Sequence, residues 1–204
     1  MMTTIAGLST GFADTVVSAQ STFRSVMDAM AHPGSVQEVV AAVGTPSPLM
    51  RGSAAIALTL FDHDTPIWLD QRMSSEKPEV ANWLKFHSGA PVVTDPSVCS
   101  FAVIVDGAAL PDLEQFSFGT AEYPDRSTTL ILQVESLTQG CEYELRGPGI
   151  NGAVVLRAKI EPKDLFGRLA VNAAVFPRGV DVMLVAGDEI VAIPRTTRLM
   201  THGA

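Results

Sequence analysis

The chain has 204 residues, 47% of them hydrophobic and 18% charged, with a formal net charge of −8. This length fits one domain over residues 1–204, large enough to form a core without disulfide or metal staples. The acidic balance and the lack of any Lys/Arg run exclude a face built for nucleic-acid phosphates or an anionic membrane, while so few charges imply apolar surface for a complex to cover.

Asp14 to Ala31 reads as an amphipathic helix with Asp14 as N-cap. Val16, Gln20, Phe23, Met27 and Met30 form its stripe, and Ala19 and Val26 widen it. His32-Pro33-Gly34 stops the helix, because a proline biases its predecessor away from helix. Ser35 to Val40 alternates weakly, as a short strand does. Ser47-Pro48 predicts the start of a second helix, a cap residue followed by proline; it runs to about Phe61 and is apolar nearly all round, hence buried. Thr65 to Leu69 reads as a strand. Pro78 to His87 reads as a third helix with Gly89 at its C′ position.

Phe101 to Val105 is an apolar run suited to a strand covered on both faces. Pro111 to Phe116 reads as a helical turn and Thr128 to Val134 as a strand. Cys141 to Leu145 and Ala153 to Ile160 read as hairpin arms joined across Gly147 to Gly152. Asp164 to Ala174 is a last helix, followed by strands at Val180 to Val185 and Ile190 to Ile193. Early alternation and late clustering of strands predict a three-layer αβα domain of the α/β class, with a mixed sheet and helices on both faces.

Met1 to Thr10 carries no positive charge and no long apolar run, so it is not a signal peptide. No window approaches the roughly 18 apolar residues of a membrane span. A cytoplasmic protein is expected. Cys99 and Cys141 belong to no Cys/His cluster and read as small core residues, so no metal site is expected.

The polar clusters each have two readings. Asp62-His63-Asp64 is either part of a metal site completed from elsewhere or a helix C-terminus running into a turn, where Asp is common. Arg51-Gly52-Ser53 lies within a helix, where a nucleophile would be hidden. His32 and His87 each sit at a helix end, where a cation meets the negative end of the dipole. His202 is in the tail. Gly147-Pro148-Gly149-Ile150-Asn151-Gly152 lacks the lysine of a phosphate loop and reads as a tight reversal. Near the end of the chain, Arg178, Arg195 and Arg198 each lie next to a strand-like run, and Arg178 and Arg195, with Thr196 and Thr197, form a candidate anion-binding set. Guanidinium forks beside hydroxyls suit phosphate or carboxylate. The other reading pairs these arginines with Asp181, Asp188 or Glu189. No catalytic residue emerges.

A series of these segments, in order, resembles a known family. They are Phe23-Arg24 with Met27 to Gly34, Leu58-Thr59-Leu60 leading into Asp62 to Leu69, and Phe86 to Ala90. Gly119-Thr120, Tyr123-Pro124 and Thr128-Thr129-Leu130 follow, then Leu145 to Ile150, Phe176 to Asp181 and Pro194-Arg195-Thr196-Thr197. The chain is similar, from about Phe12 to Arg198, to the H subunit of bacterial carbon–phosphorus lyase, the PhnH family. The resemblance implies a fold similar to pyridoxal-phosphate-dependent transferases but without the cofactor site, and no cofactor of its own. It implies a non-catalytic, essential subunit, a homodimer when isolated, working in a core complex with G, I and J subunits. That complex joins an alkylphosphonate to the ribose of a nucleoside triphosphate, giving ribose 1-phosphonate 5-triphosphate. The alternatives are a phosphate- or phosphonate-binding module, or a small independent enzyme using the C-terminal arginines or Asp62, His63, Asp64 and His87.

Overall fold

The computed structural model describes residues 9–200. The first helix, α1 (Thr15–Ala31), begins where expected: the Asp14 carboxylate accepts the Val17 N–H at 3.0 Å. It is followed by β1 (Gln37–Glu38), α2 (Arg51–Leu60), β2 (Ile67–Leu69), α3 (Pro78–Ser88), β3 (Val92–Val93), β4 (Phe101–Ile104) and β5 (Thr129–Gln133). Then come β6 (Ser136–Arg146), β7 (Val154–Lys159), α4 (Leu165–Ala174), β8 (Asp181–Ala186), β9 (Glu189–Ile193) and β10 (Arg198–Met200). A π-helical turn at Arg72–Glu76 joins β2 to α3, and the expected helical turn near Pro111 is a 3-10 turn at Leu113–Gln115.

Seven strands form a mixed sheet in the order β1-β9-β8-β5-β4-β2-β3. From β8 to β3 the pairing is parallel; β9 and β1 are antiparallel additions at one edge. The central strands are covered on both faces, so their residues alternate between two clusters. Val103, Ile131, Met183 and Val185 face α1, α2 and α3. Ala102, Ile104, Leu130, Leu132, Val182 and Leu184 face the other way.

The second face departs from the expected αβα sandwich. It is covered by one helix, α4, and by a separate three-stranded antiparallel sheet in the order β10-β6-β7. Leu145, Leu156 and Ala158 from that sheet, with Leu165, Phe166 and Leu169 from α4, supply its apolar side. The Tyr143 and Phe166 rings stack there at 3.7 Å. The physical reason is the length of β6 and β7: both arms of the hairpin present alternate apolar residues and cover area that a second helix would otherwise fill.

Two helices illustrate how the residues decide the packing. In α2, Gly52 through Ala57 are all buried, as expected. A Cβ on Gly52 would stand 2.8 Å from a Val185 methyl and 2.9 Å from the Gly187 carbonyl, so only glycine lets this helix lie so close to β8. The helix starts three residues later than the Ser47-Pro48 pattern predicts. Its first amides find their partner from β5 instead: the Gln133 side chain accepts from Met50 N–H at 2.7 Å and donates to the Pro48 carbonyl at 3.0 Å.

Much of the α1 stripe is turned outward, although Val26, and Met30 in part, meet the core as expected. Ser18, Thr22, Val26 and Ala29 are the buried positions, against α2, β9 and β1. Val16, Phe23 and Met27 are 65%, 48% and 52% exposed. At 3.6 residues per turn the buried line lies roughly 120° around the helix from the apolar stripe. Small side chains face inward because they allow close approach to the alanine-rich α2; the large ones are left on the surface.

Candidate functional site

Asp181 begins β8, and Arg195 follows the end of β9, its hairpin partner, so the antiparallel register brings them together. The Arg195 guanidinium donates to both Asp181 oxygens, Nη2–Oδ2 at 2.5 Å and Nε–Oδ1 at 3.1 Å, and its backbone N–H adds a third bond at 2.8 Å. Nη2 also donates to Ser127 Oγ at 2.5 Å, and Nη1 to the Pro124 and Pro177 carbonyls at 2.6 and 3.5 Å. Every N–H of the fork therefore has an acceptor within the protein. Of the three acids weighed as partners, Asp181 holds Arg195, while Asp188 pairs with Arg51.

The four candidate anion-binding residues thus separate. Arg195 is directed inward, as a clamp between segments. Arg178 is exposed and makes no side-chain hydrogen bond or ion pair with the described residues. Thr196 lines two neighbouring clefts on the surface. Thr197 is buried, its N–H bonded to the Pro194 carbonyl at 2.8 Å and its hydroxyl without a protein partner.

The remaining polar clusters resolve into local structure. Asp62 closes a turn: its Oδ1 accepts from Thr65 Oγ1 at 2.6 Å and from Asp64 N–H at 3.0 Å. The Thr65 hydroxyl first, then the Asp64 amide, hold its carboxyl below the usual range. His63 lies 3.3 Å from Asp64 on the open surface, and no third ligand-type residue joins them among the described residues. His32 Nδ1 lies 3.0 Å from the Asp28 carbonyl at the end of α1. His87 Nε2 lies 3.2 Å from the Ser9 carbonyl, which also accepts from Trp83 Nε1 at 2.8 Å. Ser53 is fully buried. Cys99 is a core residue whose thiol is pushed up to about 11 by burial. Cys141 corrects the expectation of two core thiols: it stands exposed on β6. His202 lies outside the described residues.

Two of the buried polar residues that were not singled out in the sequence, Gln133 and Asp70, fix the chain at several points. Gln133 clamps the start of α2, as above. Asp70, fully buried just after β2, accepts from the amides of Met73 at 3.1 Å, Val105 at 2.8 Å and Asp106 at 3.0 Å. It fixes the chain reversals at the carboxyl ends of β2 and β4. The available signal was a lone carboxylate directly after an apolar strand, where an unpaired charge would be costly.

Several of the segments that carried the resemblance meet in space. The Arg195 clamp joins Tyr123-Pro124, Phe176 to Asp181 and Pro194 to Thr197. Gly149 (φ 81°) lies so close to the end of α1 that a Cβ would stand 2.2 Å from the Ala31 carbonyl and 2.9 Å from Pro33. Gly34 in turn faces Leu145 and Val154. Residues 10–200 match the family described as bacterial phosphonate metabolism protein (PhnH). Over 188 residues the chain is 46% identical to a Rhizobium meliloti (strain 1021) protein named alpha-D-ribose 1-methylphosphonate 5-triphosphate synthase subunit PhnH, covering 92% of this chain and 93% of that one. It is 30% identical over 186 residues to a putative C-P lyase subunit protein, HtxG, of Stutzerimonas stutzeri, covering 91% and 87%.

Proposed function

The chain belongs to the PhnH family of bacterial phosphonate metabolism proteins, and we propose on that basis that it is a non-catalytic subunit of a carbon–phosphorus lyase core complex. In this reading it joins G, I and J subunits and supports formation of ribose 1-phosphonate 5-triphosphate from an alkylphosphonate and a nucleoside triphosphate. The names of the two relatives, both subunits, supply the assembly.

The structural observation that carries the subunit reading is the outward apolar face of α1. Val16, Phe23 and Met27 share one side of a helix whose other side is already packed, and a partner surface would remove them from water. The placement of Arg195 in a clamp between segments points the same way, toward a well-fixed scaffold. The reading includes a fold similar to pyridoxal-phosphate-dependent transferases without the cofactor site; a Schiff-base lysine is held in an enclosed site, and all four lysines here are exposed. The same reading makes residues 1–204 one domain, the isolated chain a homodimer and its location cytoplasmic. Among the described residues no helix is long and apolar enough to cross a membrane.

The test is a pull-down from phosphonate-grown cells with tagged wild type and Phe23→Asp. G-, I- and J-type subunits recovered in a fixed ratio by the wild type, and lost by the variant, support the reading. Wild-type chain recovered alone overturns it. In a second reading a phosphate or phosphonate is held beside Thr196, which lines two clefts, with exposed Arg178 as the available cation of the candidate set. Arg178→Ala should then weaken ligand binding without disturbing assembly.

A further inference from the structure

The β6–β10 register places Arg146 and Arg198 directly opposite each other. Opposed residues of an antiparallel pair project from the same face, and like charges in that position repel. Glu144 partly offsets this: its Oε1 accepts from both Nε and Nη2 of Arg146 at 2.8 Å, which leaves Nη1 of Arg146 as the open end of the fork. Arg198 is exposed and has no acidic partner among the described residues. The arrangement runs against the composition, since 22 acidic residues outnumber 14 basic ones and pairing partners are plentiful.

Both arginines line a cavity of about 420 Å³ between the small sheet and the end of α4. This size lies within the usual range for small-molecule sites. Thr196 adds a hydroxyl to the wall. Pro148, Ala173 and the 60% exposed ring of Phe176 make the remainder apolar. Positive charge and a hydroxyl therefore sit at one part of the cavity, with an unoccupied aromatic face at another.

We propose that this cavity binds an organic phosphorus oxyanion, a phosphate or phosphonate carrying an apolar or aromatic group. Arg198 holds the oxyanion through its guanidinium fork, Arg146 adds its Nη1, Thr196 donates from the side, and Phe176 and Pro148 cover the carbon part. A phosphonate fits better than a carboxylate, because its three oxygens can take the donors of Arg198, Arg146 and Thr196 together where a carboxylate has two. The site shares Thr196 with the reading given above but not Arg178, and it needs no partner subunit.

The probe is phenylphosphonate, titrated calorimetrically into the full-length isolated chain, with benzoate and inorganic phosphate as comparisons. Saturable binding of phenylphosphonate is expected, with both comparison ions weaker. Arg198→Ala should weaken it by about tenfold or more, the loss of one charge-assisted contact. The same substitution removes the cross-strand repulsion, so its melting temperature should equal or exceed that of the wild type. Arg51→Ala, on a remote ion pair, should bind as the wild type does. Arg198→Gln serves if the alanine variant does not fold. The proposal is overturned if phenylphosphonate gives no saturable heat at millimolar concentration, if benzoate binds equally well, or if the Arg198 variants bind normally.

Discussion

Arg195 and Asp181 share two guanidinium–carboxylate hydrogen bonds at 2.5 and 3.1 Å, with only 13% and 14% of their side chains exposed. Removing one partner from such a pair leaves the other charge buried and unmatched. Arg195→Ala should therefore destabilise the protein by about 3 kcal/mol. Arg195→Lys should recover little, because an ammonium cannot reach Asp181, Ser127 and Pro124 together. Urea denaturation of the two variants and the wild type measures both values, and a loss below that of an ordinary surface substitution would show the clamp to be unimportant.

Asp70 gives a second prediction. Asp70→Ala leaves the half-buried amides of Val105 and Asp106 without an acceptor, each costing about 1–3 kcal/mol, while Met73 N–H keeps the Asp70 backbone carbonyl at 3.1 Å. Asp70→Asn should cost less, because an amide oxygen at the Oδ2 position still accepts from Val105 and Asp106, and the remaining loss comes from the amide nitrogen that faces the Met73 N–H donor. Equal stability of Asp70→Asn and the wild type in chemical denaturation would contradict the assigned bonds.

The outward apolar face of α1 makes a paired prediction. Phe23→Asp should change folding stability by less than about 1 kcal/mol, since the ring is already half in water. Val26→Asp, three residues on, should destabilise by about 3 kcal/mol or more by burying an unpaired charge. Thermal melts of the two variants would rank in the opposite order if the apolar stripe faced the core.

The two thiols should differ in reactivity and in pH response. Cys141 should react at once with a thiol reagent, and Cys99 only on unfolding. Burial raises the Cys99 thiol from an ordinary value of 9.0 to about 11, so the folded chain keeps its proton while the unfolded chain loses it. The contribution to stability is complete below pH 9 and is lost as pH rises toward 11. Cys99→Ala should flatten the stability profile over that interval.

Much of the architecture was legible because local chemistry and fold agreed. The Asp14 cap, the Gly89 stop (φ 76°) and the glycine-rich reversal each rest on a single residue type with one strong preference. The side of α1 that faces inward was not legible. Periodicity locates a stripe, but the choice between Phe23 and Thr22 was made by the close approach of α2, which is a long-range fact. β3 and β10, two and three residues long, hold too few positions for any period to show. At the candidate site the sequence offered three acids for Arg195, and only the β8–β9 register selects Asp181. The opposed pair Arg146 and Arg198, 52 positions apart, depends entirely on how β10 returns to β6.

The chain passes from the large sheet to the small one twice, at Val134-Glu135 and at Pro194 to Thr197. Each crossing is a short tether, and the second is bolted by Arg195 to the front of β8. Separating the layers at the second crossing therefore requires breaking that bolt. Hydrogen exchange in β6 and β7 should then report the same opening event as exchange in β5 and β8. Any partner seated on the small sheet would in this way be gripping the central one as well.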